Sequence, residues 1–343
     1  MITTEILKVN RDAPEHGIMD RAAAVIRAGR LVAFPTETVY GLGADAMNGE
    51  AVLAIFRAKE RPADNPLIVH VSDNEMLELL VNDIPEEALR LIDRFWPGPL
   101  TLVFSRRPGV ADCVSRGLST IAVRMPASPI ALDLIRRAKT PIAAPSANLS
   151  GRPSPTRAQD VFADLNGRIG LILDGGPTTV GIESTVLDLT GPPVILRPGL
   201  VTRSQLEDVI GPIVPEARAE ELRRSPGTRH RHYSPKAHVV LVLDGAKDDL
   251  RSITAGFLDR GKVGFIGFSD LGLPADLIKQ ILLQNDVESY ARSLYSAFRD
   301  LDEAGVAVIV VQVAALGDGA SDAIIDRLSR AASETIIRGG TSL

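Results

Sequence analysis

Lys59 and Arg61 stand at the end of a helical stretch, with Arg57 just before them and Pro62 just beyond. Three cations suit the negative end of a helix, and they equally suit the oxygens of a polyphosphate. Arg124 closes an apolar run, I-A-V-R-M-P over 121–126. A guanidinium there needs a carboxylate, a phosphate or water at its tip, and a structural ion pair with Asp or Glu is the plainer alternative. His70 lies inside L-I-V-H-V, 67–71, where a lone histidine is more often a core residue than a ligand. Ala144, Ser146 and Asn148 end another apolar run, A-A-P-S-A-N over 143–148. Small residues permit close ligand approach there, although the same types serve ordinary turns. After the buried-strand run 31–34, Thr36, Glu37, Thr38, Tyr40, Gly41 and Gly43 read as one turn crowded with hydroxyls and a carboxylate. G-I-E-S-T at 181–185 and L-R-P-G at 196–199 repeat the theme. Polar groups thus gather at strand ends, where open α/β sheets bind ligands.

General signatures exclude several chemistries. There is no G-x-x-x-x-G-K-[ST] loop and no strand followed by G-x-G-x-x-G. Neither H-E-x-x-H nor a G-x-S-x-G elbow occurs. The five histidines make no metal pattern, and Cys113 as the one cysteine permits neither an internal disulfide nor a cysteine cage. A formal net charge of -5 argues against an extended nucleic-acid face. The first ten residues lack the pattern of a secretory signal, and the longest apolar stretch, 306–316, is too short to span a bilayer. A soluble, cytoplasmic protein is the expectation.

Positioning these groups requires a scaffold of strands and helices. With 343 residues, two domains are expected at ~100–200 residues each. Helical patterns over 17–28, 51–58, 85–95 and 129–138 alternate with apolar strands at 31–34, 67–71, 100–104, 120–123, 169–173, 185–189 and 194–196. Ser128 followed by Pro129 has the form of an N-cap and first turn. Such interleaving indicates a sheet covered by helices. The pattern fails from 212 to 237, where prolines break a segment read as an interdomain linker. Three apolar strands then follow, at 239–243, 263–266 and 306–311, with helical patterns at 248–258 and 287–304. These form a smaller parallel α/β unit of Rossmann-like type over 238–343.

In order along the chain, P-T-E-T-V-Y-G-L-G (35–43), K-E-R-P (59–62), N-P-L-I-V-H (65–70), W-P-G-P-L-T (96–101), V-R-M-P (123–126), A-P-S-A-N (144–148) and E-S-T (183–185) resemble the threonylcarbamoyl-AMP synthases. Their catalytic unit is a YrdC-like domain, here residues 1–211, with a twisted mixed sheet and flanking helices. The linker, carrying H-Y-S-P at 232–235, and the final unit resemble the long two-domain form.

The resemblance implies a nucleotidyltransferase that joins L-threonine, bicarbonate or CO2, and ATP into threonylcarbamoyl-AMP, with Mg²⁺ accompanying the ATP. It implies that the product passes to a separate complex that modifies adenosine in tRNA. It carries L-threonine contacts to Thr38, Tyr40, His70, Arg124, Ala144 and Ser184. It carries ATP contacts to Lys59, Arg61, Asn65, Thr120, Ser146, Ser154, Arg197, His232 and Tyr233. Lys59, Arg61, Ser146 and Asn148 are the implied catalytic set, and no protein side chain is assigned to a metal. Such a transfer asks mainly for positioning and charge neutralisation. The rival reading is a double-stranded RNA-binding module without catalysis, in which Arg57, Lys59 and Arg61 share a basic face; RNA contact is also conceivable alongside catalysis. Carbamoyl transfer, as in hydrogenase-maturation proteins with a similar domain, would require cysteine-rich zinc segments that one cysteine rules out.

Overall fold

A computed structural model describes residues 2–62, 65–225, 233–313 and 320–337. Of the linker residues 229, 231, 232 and 233, Tyr233 falls within them, and His232 lies outside the described residues. The chain forms two compact units, residues 1–150 with 154–230, and residues 151–153 with 231–343. No helix among the described residues is long and apolar enough to cross a membrane.

The first unit is built on a ten-stranded mixed sheet. Its order is Glu5–Lys8, Leu171–Asp174, Val32–Pro35, Tyr40–Asp45, Ile142–Ala143, Ile68–His70, Thr120–Arg124, Leu100–Ser105, Thr185–Asp188 and Val194–Arg197. Side chains alternate between its faces. Val69, Leu102 and Val123 join a core with residues of helices Gly49–Lys59, Glu86–Phe95, Ala158–Leu165 and Arg203–Ile210. On the other face, helices His16–Arg27 and Pro129–Ala138 pack over Val32, Phe34, Ile142, Leu171 and Leu173. The rest of that face carries Ile68, Val103, Ala122, Val186, Val194 and Leu196, an apolar cluster against which Ala217 packs, just before the short helix Ala219–Leu222.

Local sequence accounts for most of these elements. Ser128 Oγ accepts from Ala131 N at 3.3 Å, and Pro129 opens the helix behind it. Asn48 caps the helix that delivers Lys59, accepting from the amides of Glu50 and Ala51.

The crowded turn is shorter than its composition suggests. Thr36 to Val39 turn the chain, and Tyr40–Asp45 pairs back antiparallel on Val32–Pro35. Gly41 and Gly43 disguise this strand, because glycine disfavours strands. Here it permits close approach: a Cβ at Gly43 would lie 2.7 Å from the Phe34 ring and 2.9 Å from Ile142.

The second unit is an all-parallel five-stranded sheet, ordered Ile278–Leu282, Val263–Gly267, Val308–Val313, His238–Leu243 and Glu334–Ile337. The two edge strands, beyond the three expected, lack a buried apolar run and so carry no strand signature. Helices Lys247–Ala255, Val287–Glu303 and Ser321–Ala331 belong to the same unit.

The stretch 212–225 is fastened within the first unit. Arg203 donates to the carbonyls of Ile213, Val214 and Pro215 at 3.0, 3.3 and 2.9 Å. Arg224 pairs with Asp188 at 2.8 Å, and Ser225 is buried.

Gly199 tests how tightly the strand ends are packed. A Cβ there would lie 2.3 Å from the Thr185 amide nitrogen, a backbone atom that cannot swing aside. Gly199→Ala is expected to lose about 1–3 kcal/mol in urea unfolding, the usual range for overpacking. An unchanged midpoint would show that this turn is loose.

Candidate functional site

Arg124 ends a central strand and is 3% exposed. Its Nε donates to the Gly98 carbonyl at 3.0 Å, and Nη1 donates to Thr38 Oγ1 at 2.9 Å. Nη2 lies 2.5 Å from Glu37 Oε1. The two charges are close enough to pair, yet neither Glu37 oxygen nor Nη2 makes an aligned hydrogen bond. The contact is therefore Coulombic and not a two-pronged fork. The ion pair envisaged as the plainer reading of Arg124 is present.

Loops around Arg124 assemble its neighbours. Gly98 also donates its N–H to the Met125 carbonyl, and Pro99 accepts from Thr185 N at 3.0 Å, which brings Ser184 alongside. A Cβ at Gly98 would lie 2.2 Å from the Phe95 carbonyl oxygen, which explains the glycine in W-P-G-P. The Glu37 carbonyl accepts from Thr179 N and Val180 N, and the Thr38 carbonyl accepts from Gly181 N. Ser184 Oγ and Thr101 Oγ1 are hydrogen-bonded at 2.7 Å, and Arg197 Nε and Nη2 donate to the Ser184 carbonyl at 3.1 and 3.0 Å. His70 is the register partner of Arg124 on the adjacent strand.

Thr38, His70, Arg124 and Ser184 are thus brought together, with Ala144 bonded to the His70 strand through Ile68. Tyr40 stands apart from them. Its ring packs in the opposite core, and its hydroxyl donates to the Gly176 carbonyl at 2.7 Å. Burial holds its phenol above the ordinary range.

A second cluster forms around Lys59, the last residue of its helix and 1% exposed. Its ammonium donates to the carbonyls of Ser146 and Asn148 at 2.5 Å each. Ser146 Oγ donates to Asn148 Oδ1 at 2.6 Å. Arg61 donates to the Asn65 and Pro66 carbonyls at 3.4 and 3.0 Å, which draws Asn65 in. Thr120 opens the strand that Arg124 closes. At ~3.3 Å per residue the two lie about 13 Å apart, and alternation sends both to one face.

The remaining residues divide. Ser154 Oγ donates to Glu183 Oε1 at 2.6 Å, which places it with Arg197 at the 181–185 loop. Tyr233 belongs to the second unit, where it stacks on Tyr295 with ring centroids 5.4 Å apart beneath the Arg327 guanidinium. Arg57 is exposed and lies on the rim of a separate cavity. With Lys59 buried and Arg61 turned to its own loop, these three cations form no common basic face.

Glu37, the acid beside Arg124, lies within the 35–43 motif but carries no role that the resemblance implies. The signal available was charge balance: a buried arginine needs an acid, and Glu37 sits between two hydroxyl residues. Glu183 is a similar case.

Two family models match the chain. One described as "Telomere recombination" covers residues 24–199, and one described as "Threonylcarbamoyl-AMP synthase, C-terminal domain" covers 201–333. A threonylcarbamoyl-AMP synthase of Pyrococcus abyssi is 47% identical over 92% of this chain and 94% of its own length. One from Bacillus subtilis is 45% identical over 93% and 94%. The chain belongs to the threonylcarbamoyl-AMP synthase family. Among solved structures, P. abyssi Sua5 complexed with L-threonine is similar at a TM-score of 0.90 and 45% identity, covering 98% of this chain and all of that one. A variant of the same protein with a histidine and a tyrosine changed to alanine gives 0.89 and 44% identity over 99% of this chain. Both share the two α/β units described above.

His70 has a pH signature of its own. Burial, reinforced by the Arg124 charge, lowers its pKa to about 3, so the imidazole is neutral in the folded chain. The unfolded chain takes up a proton near the ordinary histidine value, so stability present above that value falls as pH drops towards the folded one. Between pH 7 and 5 this group should cost about 2 kcal/mol of stability. Urea unfolding at both pH values should show that extra loss in the parent and not in His70→Gln. Equal acid slopes would contradict the burial of a neutral ring.

Proposed function

We propose that the chain condenses L-threonine, bicarbonate or CO2, and ATP into threonylcarbamoyl-AMP with release of pyrophosphate. The observation that carries this reading is a pair of clusters at opposite ends of the adjacent strands Ile68–His70, Thr120–Arg124 and Ile142–Ala143. A buried guanidinium ringed by Thr38, His70 and Ser184 lies at one end, and Lys59, Arg61, Ser146 and Asn148 gather towards the other.

Threonine offers a carboxylate to Arg124, whose unaligned contact with Glu37 leaves N–H groups to satisfy. The His70 Nδ1 has no hydrogen-bond partner in its buried setting, and a neutral imidazole suits the threonine hydroxyl. The threonine amine, once deprotonated, attacks the carbon of bicarbonate and water leaves, which gives a carbamate. A carbamate oxygen then attacks the α-phosphorus of ATP, and the bond to pyrophosphate breaks. Arg61 meets phosphate oxygens, and Ser146 and Asn148 supply neutral hydrogen bonds near the reacting centre. Lys59 spends its ammonium on the loop carbonyls and thereby holds those two side chains in place. Mg²⁺ enters with ATP as part of that substrate; the described residues hold no cluster of three or more His, Cys, Asp or Glu fit for a metal. The carbamate decays readily in water, so exclusion of solvent matters. Tyr233 and His232 remain proposed ATP contacts, with Asn65, Thr120, Ser154 and Arg197. The product would serve a cytoplasmic tRNA-modifying transferase. Separation of Arg57, Lys59 and Arg61 disfavours the RNA-binding alternative.

Pyrophosphate release should require threonine, bicarbonate and ATP together. Release without threonine, or phosphate in place of pyrophosphate, would contradict the reaction. Arg61→Ala should lower turnover ~10²–10³-fold, as removal of a transition-state contact does, while changing unfolding free energy by less than about 1 kcal/mol. Small and equal effects on both would leave Arg61 as a brace of the 65–66 loop.

A further inference from the structure

A cavity of about 740 Å³ opens in the first unit between helices His16–Arg27 and Gly49–Lys59. Its rim carries Arg21, Arg30, Arg57 and Arg168, and no acidic residue lines it. Val25, Leu31, Ala54, Ile169 and Leu171 make an apolar floor. Arg21 pairs with Glu5, and Arg168 pairs with Glu60 at 2.7 Å. Arg30 and Arg57 have no ion pair or side-chain hydrogen bond among the described residues.

Two of these guanidinium groups are balanced by acids outside the lining, while Arg30 and Arg57 bring uncompensated charge to one opening of a chain of net charge -5. The volume lies within the ~300–1,000 Å³ usual for small-molecule sites. Guanidinium groups fork onto phosphate, sulfonate or carboxylate oxygens and stack on flat rings. An apolar floor beneath them takes a body that water rejects. Neither Arg124 nor Lys59 lines it, although Arg57 and Ala58 precede Lys59 on the same helix. We infer that this cavity is a second binding site, for an organic anion with a flat apolar body, separate from the proposed catalytic site.

The test uses the full chain and the dye anilinonaphthalene sulfonate, which has a sulfonate on an apolar aromatic body. Fluorescence titration with saturating threonine and ATP present should show one saturable site. The double variant Arg30→Ala/Arg57→Ala should weaken dye binding at least about tenfold, since charge-assisted contacts are the strong ones. Lysine at both positions should restore part of it. Ala24→Glu, an exposed helix position on the lining, should also abolish binding. Circular dichroism melts of each variant confirm the fold. A neutral phenylnaphthylamine should bind at least about tenfold more weakly than the dye.

Three results would overturn the inference. Dye released by ATP or threonine would place it in the catalytic cleft. Affinity unchanged in the double variant would place it elsewhere on the chain. Release by an unmodified tRNA transcript, with steep salt dependence, would make the four arginines an RNA-binding surface.

Discussion

A permanently charged guanidinium sits almost wholly out of water at the end of a central strand, and much of the surrounding structure answers to it. Arg124 cannot shed its proton, so its donors must find oxygens. The Gly98 carbonyl, the Thr38 hydroxyl and the Glu37 carboxylate meet them. Each of these comes from a loop that would otherwise be free to vary. The W-P-G-P loop is fixed because Gly98 faces Arg124 while Pro99 holds Thr185. The 36–39 turn is fixed because Thr38 and Glu37 face the same group and their carbonyls hold residues 179–181. A buried pair of this kind adds little net stability, since desolvation offsets attraction. Its effect is to place loops, and through them Ser184.

The sheet supplies the ruler. The strand Ile68–His70 pairs with both Thr120–Arg124 and Ile142–Ala143, so the loops at 65–66 and 146–148 lie at the end opposite Arg124, a spacing set by backbone geometry. Helices Gly49–Lys59, Glu86–Phe95, Ala158–Leu165 and Arg203–Ile210 contribute to the core on one face, His16–Arg27 and Pro129–Ala138 to part of the other, and the segment around Ala217 packs on the cluster that includes Ala122. Lys59 ties the helix end to the 146–148 loop, so the second cluster is anchored as firmly as the first.

What could be read from the sequence follows from what local signals encode. Apolar runs such as 100–104 and 120–123 marked strands because both faces are buried. Ser128 and Pro129 marked a helix start because capping is local chemistry. The strand Tyr40–Asp45 was hidden by glycines retained for packing against Phe34 and Ile142, a tertiary reason invisible in its own residues. The strands Ile278–Leu282 and Glu334–Ile337 were hidden because an edge need not be apolar. The polar strings of the site were visible, but their partnerships were not. Nothing in the spacing of Glu37 and Arg124 states that they meet, and nothing in the helix-end position of Lys59 states that it is buried.

The claim on which this account rests is that Arg124 receives the carboxylate of threonine. Calorimetry with threonine and with threonine amide, which lacks that carboxylate, addresses it in the parent and in Arg124→Ala. The parent should bind threonine more tightly by about 2–5 kcal/mol, the usual cost of removing one partner of a buried hydrogen-bonded charge pair. The variant should bind the two ligands with similar, weak affinity. A parent indifferent to the amide, or a variant that still prefers threonine, would contradict the assignment and leave Arg124 as the structural partner of Glu37.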